Sequence, residues 1–313
     1  MYHLFGNILT RYGTAANNRG ESEGNITPLQ KLCWKGGTHS SVSAEAIRWA
    51  LRYYWQLSGY SVNRQWDEDT YQFSPQIADF DPVQFIDDDV LGYMRAEAAK
   101  VENNESEAAS AEVSAEKKAP SKKGKSKSKS VPKGTKLARR GVLEVTRGVS
   151  LLEYFGDVTF NSVSSSQKGR TSLYGTEMHA TRYQYGFAMT PHRLKSSSRV
   201  SAILDGLISI GEVAGNHSRF LYDFSPDSIV LRWTHDFSPR FLYCFHEDEE
   251  GNISVPELMQ QISSGDIDPE ELWVGGPISA ALQESGVPHT FPGVKAAVEA
   301  LKAAIKKDFS SQG

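Results

Sequence analysis

The run Lys35-Gly36-Gly37-Thr38-His39-Ser40-Ser41-Val42-Ser43, opening onto residues Ala44 to Leu57, decides how the chain is read. Its two glycines and string of small polar residues predict a loop, and Ser43 stands where a helix N-cap belongs. Ala46, Ile47, Ala50, Leu51 and Tyr54 then recur at helical spacing and give the helix one buried face. Before this unit, Tyr2 to Thr10 predicts a strand. After it come short apolar pieces at Val142 to Thr146 and Leu151 to Tyr154, then an alternating strand from Ala180 to Met189. A second amphipathic helix follows from Ser197 to Ile210, with strands at Ile229 to Trp233 and Phe241 to Phe245. Helices near Val255 to Ile262 and Gly293 to Lys306 complete the chain.

The resulting order, β-α, insertion, β, β-α, β, predicts an α+β fold: a ferredoxin-like or RNA-recognition-motif core interrupted by long excursions. With 313 residues, 39% hydrophobic, the chain can bury one large core carrying a sizeable insertion. No stretch approaches the roughly 18 apolar residues of a membrane span, and the N-terminus lacks the pattern of a secretory signal. A cytoplasmic location without membrane contact is expected. Cys33 and Cys244 are the only cysteines, too few for a disulfide framework and without the paired spacing of a zinc site.

A net charge of -4 argues against a nucleic-acid partner until its distribution is considered. From Arg11 to Arg52 six bases face three acids, and from Phe160 to Arg219 seven face three. Asp67 to Met94 holds eight acids and no base, and Asp223 to Glu284 holds thirteen acids and two bases. Such segregation predicts one basic groove on an otherwise acidic protein, the alternative being that the acidic runs are ordinary solvated loops. The segment from about Ala96 to Arg140 passes from an Ala/Glu tract into Lys122-Lys123-Gly124-Lys125-Ser126-Lys127. It has too few bulky apolar residues to offset its ordering entropy, which predicts a disordered insertion free to make an auxiliary contact to nucleic-acid backbone.

The second informative stretch is Gly211-Glu212-Val213-Ala214-Gly215-Asn216-His217-Ser218-Arg219. Two glycines permit close approach, and Asn216, His217 and Arg219 crowd hydrogen-bond donors onto one loop, a pattern suited to phosphates and ribose hydroxyls. The start of the first helix, with Lys35, His39, Ser41 and Ser43, suits an anion as well. Arg48 and Arg52 lie four apart on one helix face and either join that site or make salt bridges. Arg11, Asn17, Asn18 and Arg19 follow the first strand, and Lys168 and Arg170 punctuate a polar, flexible run from Asn161 to Gly175.

Taken together, Gly6-Asn7-Ile8-Leu9-Thr10-Arg11-Tyr12-Gly13-Thr14-Ala15-Ala16-Asn17-Asn18, the Lys35 to Arg52 unit, Thr176-Glu177-Met178-His179-Ala180-Thr181-Arg182-Tyr183-Gln184-Tyr185 and the Gly-Asn-His-Ser-Arg loop carry a resemblance. The chain resembles the DevR branch of the CRISPR-associated backbone proteins, which polymerise along the guide RNA of type I (Cascade) surveillance complexes, and within them subtype I-B. The resemblance implies a hand-like shape. The palm would be residues 1–58 and 141–313, the fingers insertion 59–140, and the thumb about 161–175. It also implies partners: guide RNA, target DNA through RNA pairing, copies of the same chain in a head-to-tail filament, other Cascade subunits, and a nuclease-helicase or transposition proteins. No cofactor or metal is implied. The palm departs from an RNA-recognition motif in lacking the usual aromatic motif, so base stacking on the sheet is not expected.

A second class of function is a metal-dependent RNA endonuclease, because eight histidines and many aspartates are present. No HxH, HExxH or CxxC spacing supports it, and no Walker loop occurs. The expectation is therefore a stoichiometric RNA-binding subunit, in antiviral defence or in a transposon-associated Cascade that directs DNA insertion.

Overall fold

The computed structural model describes residues 1–15, 22–96, 136–164, 171–215 and 223–311. The chain forms two compact units, a large one of Met1–Gly92 with Arg140–Gly313 and a small one of Tyr93–Arg139. Strand β1 (His3–Thr10) is buried along its whole length. Short strands β2 (Gly13–Ala15), β3 (Ile26–Thr27), β4 (Lys31–Trp34) and β5 (Gly37–Val42) lead to helix α1 (Ala44–Leu57). Next come the two-residue strands β6 (Trp66–Asp67) and β7 (Gln72–Phe73), and the single turn of helix α2 (Ile86–Val90). Strands β8 (Gly92–Ala96) and β9 (Lys136–Arg140) pair with each other.

The second half begins with β10 (Leu143–Val145) and β11 (Gly148–Ser150). A hairpin of β12 (Val158–Ser164) and β13 (Thr171–Glu177) follows, then β14 (His179–Thr181) and β15 (Tyr183–Met189). Helix α3 (Arg199–Ser209) leads to the long β16 (Pro226–Thr234). The rest is β17 (His246–Glu247), β18 (Ile253–Ser254), α4 (Pro256–Ser263), β19 (Leu272–Gly275), α5 (Ser279–Glu284), β20 (His289–Phe291) and α6 (Val294–Ser311).

A nine-stranded sheet in the order β20-β19-β16-β1-β15-β11-β5-β4, with β10 also on β15, forms the centre of the α+β fold. Its pairs are antiparallel except β19 with β20. Alternation along β1 divides two cores. Leu4 and Ile8 face α1, α3 and α6, whereas Phe5 and Leu9 face a second layer built from residues 241–287. Gly6 lets the first side close, because a Cβ there would stand 2.2 Å from the Phe187 ring. The fully buried Trp55 of α1 donates its ring N–H to the Ala202 carbonyl at 3.0 Å, so its polar atom costs nothing on burial.

Three sequence expectations are corrected. Residues 37–42 form strand β5 rather than a loop, because their hydroxyls and imidazole find partners on neighbouring strands and can be buried. Phe241 to Phe245 is not a strand but a turn, with Tyr243 at φ 59. Sheet side chains hold it: Asn7 Oδ1 accepts from the Tyr243 amide at 3.2 Å, and Gln184 bonds both the amide and the carbonyl of Phe245. The third concerns the acids of the 67–94 run, for which solvated loops were one alternative. Asp87, Asp88 and Asp89 are buried, each tied to a different neighbour. Asp87 accepts from Arg52 Nε at 3.1 Å, Asp88 from Asn63 Nδ2 at 2.8 Å, and Asp89 from Arg199 at 2.6 Å. The Lys/Ser-rich part of the predicted disordered insertion, residues 97–135, lies outside the described residues.

Candidate nucleic-acid interface

Strand β1 leaves the sheet at Thr10, where its register with β16 shifts. The buried Thr10 hydroxyl accepts from the Tyr183 amide at 2.9 Å, and the Arg11 amide donates to the Ser225 carbonyl at 3.1 Å. These bonds deliver the Arg11 side chain to the surface, where it is 59% exposed. Its guanidinium stands 3.9 Å from Asp223 and 3.8 Å from Asp227. Arg182, largely covered, reaches the same corner and donates to the Thr10 carbonyl at 3.4 Å and to Asp227 at 3.2 Å. Both Arg11 contacts are long; Asp223 is solvated, whereas Asp227 is mostly covered and already bonded to Arg182, so a polyanion can displace Arg11 from them at little cost.

Three further segments are anchored around this corner. Strand β2 pairs with β14, and the chain beyond it, with Asn17, Asn18 and Arg19, lies outside the described residues. β3 then pairs in parallel with β13 of the β12–β13 hairpin, whose register runs from Val158 opposite Glu177 to Ser164 opposite Thr171. Lys168 and Arg170, between those strands, lie outside the described residues. The excursion after α3 is pinned at its base: the Phe224 amide donates to the Gly211 carbonyl at 2.9 Å, and the buried Phe224 ring stacks on Tyr185 at 5.4 Å. Asn216, His217 and Arg219 of that excursion are also outside the described residues.

Behind the corner, β5 contributes structural support rather than exposed donors. Tyr183 Oη and the Ser40 hydroxyl are 2.5 Å apart, Ser40 lies 2.7 Å from His179 Nδ1, and His179 Nε2 lies 3.1 Å from the Glu153 carbonyl. One polarity satisfies the chain: His179 Nε2–H donates to Glu153, and Nδ1 accepts from Ser40, which accepts from Tyr183. Burial pushes the His179 pKa below its ordinary value, which keeps the neutral ring this chain needs. His39 is buried, its Nδ1 donating to the Ser150 carbonyl at 2.8 Å, and the buried Ser41 hydroxyl accepts from Arg147 at 3.2 Å. Ser43 caps α1, so its oxygen is used by the helix.

The remaining cations separate. Lys35 occupies the two-residue turn of the β4–β5 hairpin with φ 47, followed by Gly36 at φ 91, and it is exposed with Glu257 3.6 Å away. Arg52 is committed to Asp87 and lies over the Phe73 ring, and burial lowers its pKa against the pull of Asp87. That internal salt bridge, not a surface donor, is its place in the structure. Arg48 is partly buried and its Nε has no hydrogen-bond partner. Three cations were not singled out from the sequence: Lys31, paired with Glu177 at 2.7 Å, Arg147 and Arg182. Alternation along residues 31–35 and the Thr181-Arg182 step were the available signals.

The opposite sheet face, where an RNA-recognition motif would stack bases, is covered by the 241–287 layer. Among the described residues no three His, Cys, Asp or Glu side chains gather as a metal site. Nor is any described helix long and apolar enough to cross a membrane.

Over 296 residues, 90% of this chain and 88% of the relative's, the sequence is 42% identical to the CRISPR-associated protein Cas7/Cst2/DevR of Myxococcus xanthus (strain DK1622). The chain belongs to the Cas7/Cst2/DevR family. Chains of two solved structures have the fold of this family member at far lower identity. One is a CRISPR RNA-guided surveillance complex, at 13% identity and a TM-score of 0.55, covering 97% of this chain and 100% of that one. The other is a CRISPR RNA-guided surveillance complex, pre-nicking, at 10% identity and 0.57, covering 96% and 99%. No family model matches the chain.

Proposed function

We propose that this chain is the guide-RNA-binding backbone subunit of a type I, subtype I-B, Cascade complex. Copies pack head to tail along the spacer of the guide RNA and present it for pairing with target DNA in antiviral defence. Its role is stoichiometric, and sequence choice belongs to base pairing rather than to protein contacts. Other Cascade subunits complete the assembly.

The observation that carries this reading is the corner at the end of β1. Arg11 is exposed there and makes only long contacts to its carboxylate neighbours, and the anchors of the segments bearing Arg19, Lys168, Arg170 and Arg219 are joined to it through β2–β14, β3–β13 and Asp223. In this reading those cations hold guide phosphates, Asn17, Asn18, Asn216 and His217 hold ribose and phosphate oxygens, and the β12–β13 hairpin is the thumb. Lys35 and Arg48 extend the groove, while His39, Ser41 and Ser43 support its wall. The palm is RNA-recognition-motif-like. In support, the central strands run β16-β1-β15-β11, with α1 between β1 and β11 and α3 between β15 and β16 in the chain. The fingers are residues 59–140.

Filter binding of guide RNA over a salt series tests the assignment. Arg11→Ala, Lys168→Ala and Arg219→Ala should each weaken binding and lower the salt slope by about 0.7 for every phosphate left without its cation. Unchanged affinity and slope in all three would overturn it.

A further inference from the structure

Arg11 stands among charges without a hydrogen bond to any of them. Asp223 lies 3.9 Å from its guanidinium and Asp227 3.8 Å, both beyond the reach of its N–H donors. Among the described residues no other acceptor is bonded to that group, so its donors stay open to a ligand. The two carboxylates are not equivalent. Asp227 has a side chain only 15% exposed and accepts from Arg182 at 3.2 Å, so it keeps a cation of its own when Arg11 changes partner. Asp223 is 49% exposed and, among the described residues, pairs with Arg11 alone.

The chain fixes Asp223 in that position. Its Oδ1 accepts from the Ser225 amide at 2.9 Å, an Asx turn, which leaves Oδ2 as the oxygen toward Arg11. The next two residues are pinned as well: the Phe224 amide donates to the Gly211 carbonyl at 2.9 Å, and the Ser225 carbonyl accepts from the Arg11 amide at 3.1 Å. A negative charge is therefore built in beside the one cation of the corner whose donors are unused. With no hydrogen bond between them, Asp223 does little to orient Arg11, and an exposed pair at that separation is weak. Its effect on a third charge is of the other sign. A phosphate that approaches Arg11 has to displace Asp223 and then remain within a few ångströms of it.

We propose that Asp223 is a built-in competitor for guide phosphate, a residue that lowers the affinity of each copy for the strand. Removing its charge strengthens RNA binding, the opposite of what losing a groove residue does. The inference rests on the reading of the Arg11 corner as part of the guide groove and adds to that groove the residue that opposes it.

The test is filter binding of the full-length chain to an RNA short enough for one copy. Asp223→Asn keeps an oxygen for the Ser225 amide and sets an N–H donor where Oδ2 stood; Asp223→Ser keeps an acceptor without charge. At about 50 mM salt each should bind roughly threefold more tightly than wild type, the Asn variant the more so. The gain should shrink as salt rises to about 0.5 M, because exposed charges are screened and a change of fold is not. It should also fall within about twofold of unity when introduced into Arg11→Ala, since the two charges act on one phosphate. Asp223→Asn and Asp223→Ser that bind no more tightly than wild type, or a gain that survives high salt or the loss of Arg11, would overturn the competitor while a weakened Arg11→Ala leaves the groove standing. Arg11→Ala that binds as well as wild type is the distinct result that would sink the groove reading itself.

Discussion

The three consecutive aspartates of α2 differ in what their charge does. Asp89 is fully buried and accepts from Arg199 and from the Lys195 amide. Asp89→Ala strands a covered guanidinium and should cost about 3–5 kcal/mol, read by chemical denaturation. Asp88 lacks a direct ion pair, and burial raises its pKa above the ordinary carboxylate value. A raised acid favours folding below its unfolded pKa, and that contribution is lost as pH rises through the folded one. Asp88→Asn keeps an oxygen for Asn63 and for the Asp81 amide, so it should be neutral or stabilising at pH 8 relative to pH 4, in paired thermal melts. His179 has the reverse sign of dependence. Its lowered pKa means the unfolded state binds the proton first, so its contribution is complete above about pH 6.5 and fades as pH falls below that value. Wild-type Tm should therefore drop between pH 7.5 and 5.5, and drop less in His179→Gln. None of this is readable from the string Asp87-Asp88-Asp89, because a run of acids looks the same whether water or arginines from distant segments surround it.

At the scale of elements, what the sequence makes legible follows from periodicity. Helices α1, α3 and α4 and strands β1 and β16 carry apolar spacing of their own and stand close to their expected bounds, whereas α6 runs on to Ser311 and the strand expected from Ala180 to Met189 is divided between β14 and β15. Strand β5 carries no such spacing, since its Ser and His residues are buried only because Ser150, Tyr183 and His179 answer them from other strands. The β4–β5 turn requires Lys35 and Gly36 both at positive φ, a signal that a Lys-Gly pair gives weakly. Gly276 is a stronger constraint on the interface: it sits at φ 96, and a Cβ would stand 2.2 Å from the Asp227 carbonyl. Gly276→Ala should cost more than about 1 kcal/mol and, by shifting Asp227, should weaken guide binding in the same filter assay. An affinity loss without a stability loss would contradict that coupling.

For the molecule as a whole, the charge segregation read from sequence survives, but its geometry is different. The acids of 236–290 form one layer on one side of a sheet, and cations are divided between the corner at the end of β1 and the α3–α6 side. Arg11 is the expected site residue that the described structure brings to that corner, while Arg52 turns inward, because helical spacing fixes a face and not what covers it. Raising salt should weaken RNA binding, and the slope read by filter binding over a salt series should be smaller for Arg11→Ala than for wild type. The position of β1 at the middle of the sheet carries a further consequence, one of timing. Its partners β15 and β16 end at Met189 and Thr234. At roughly 5–20 residues per second of synthesis, the first strand emerges from the ribosome tens of seconds before its second neighbour exists. Through that interval Leu4, Phe5, Ile8 and Leu9 have no permanent partner, which makes the nascent N-terminus a natural client for a chaperone that grips short apolar segments.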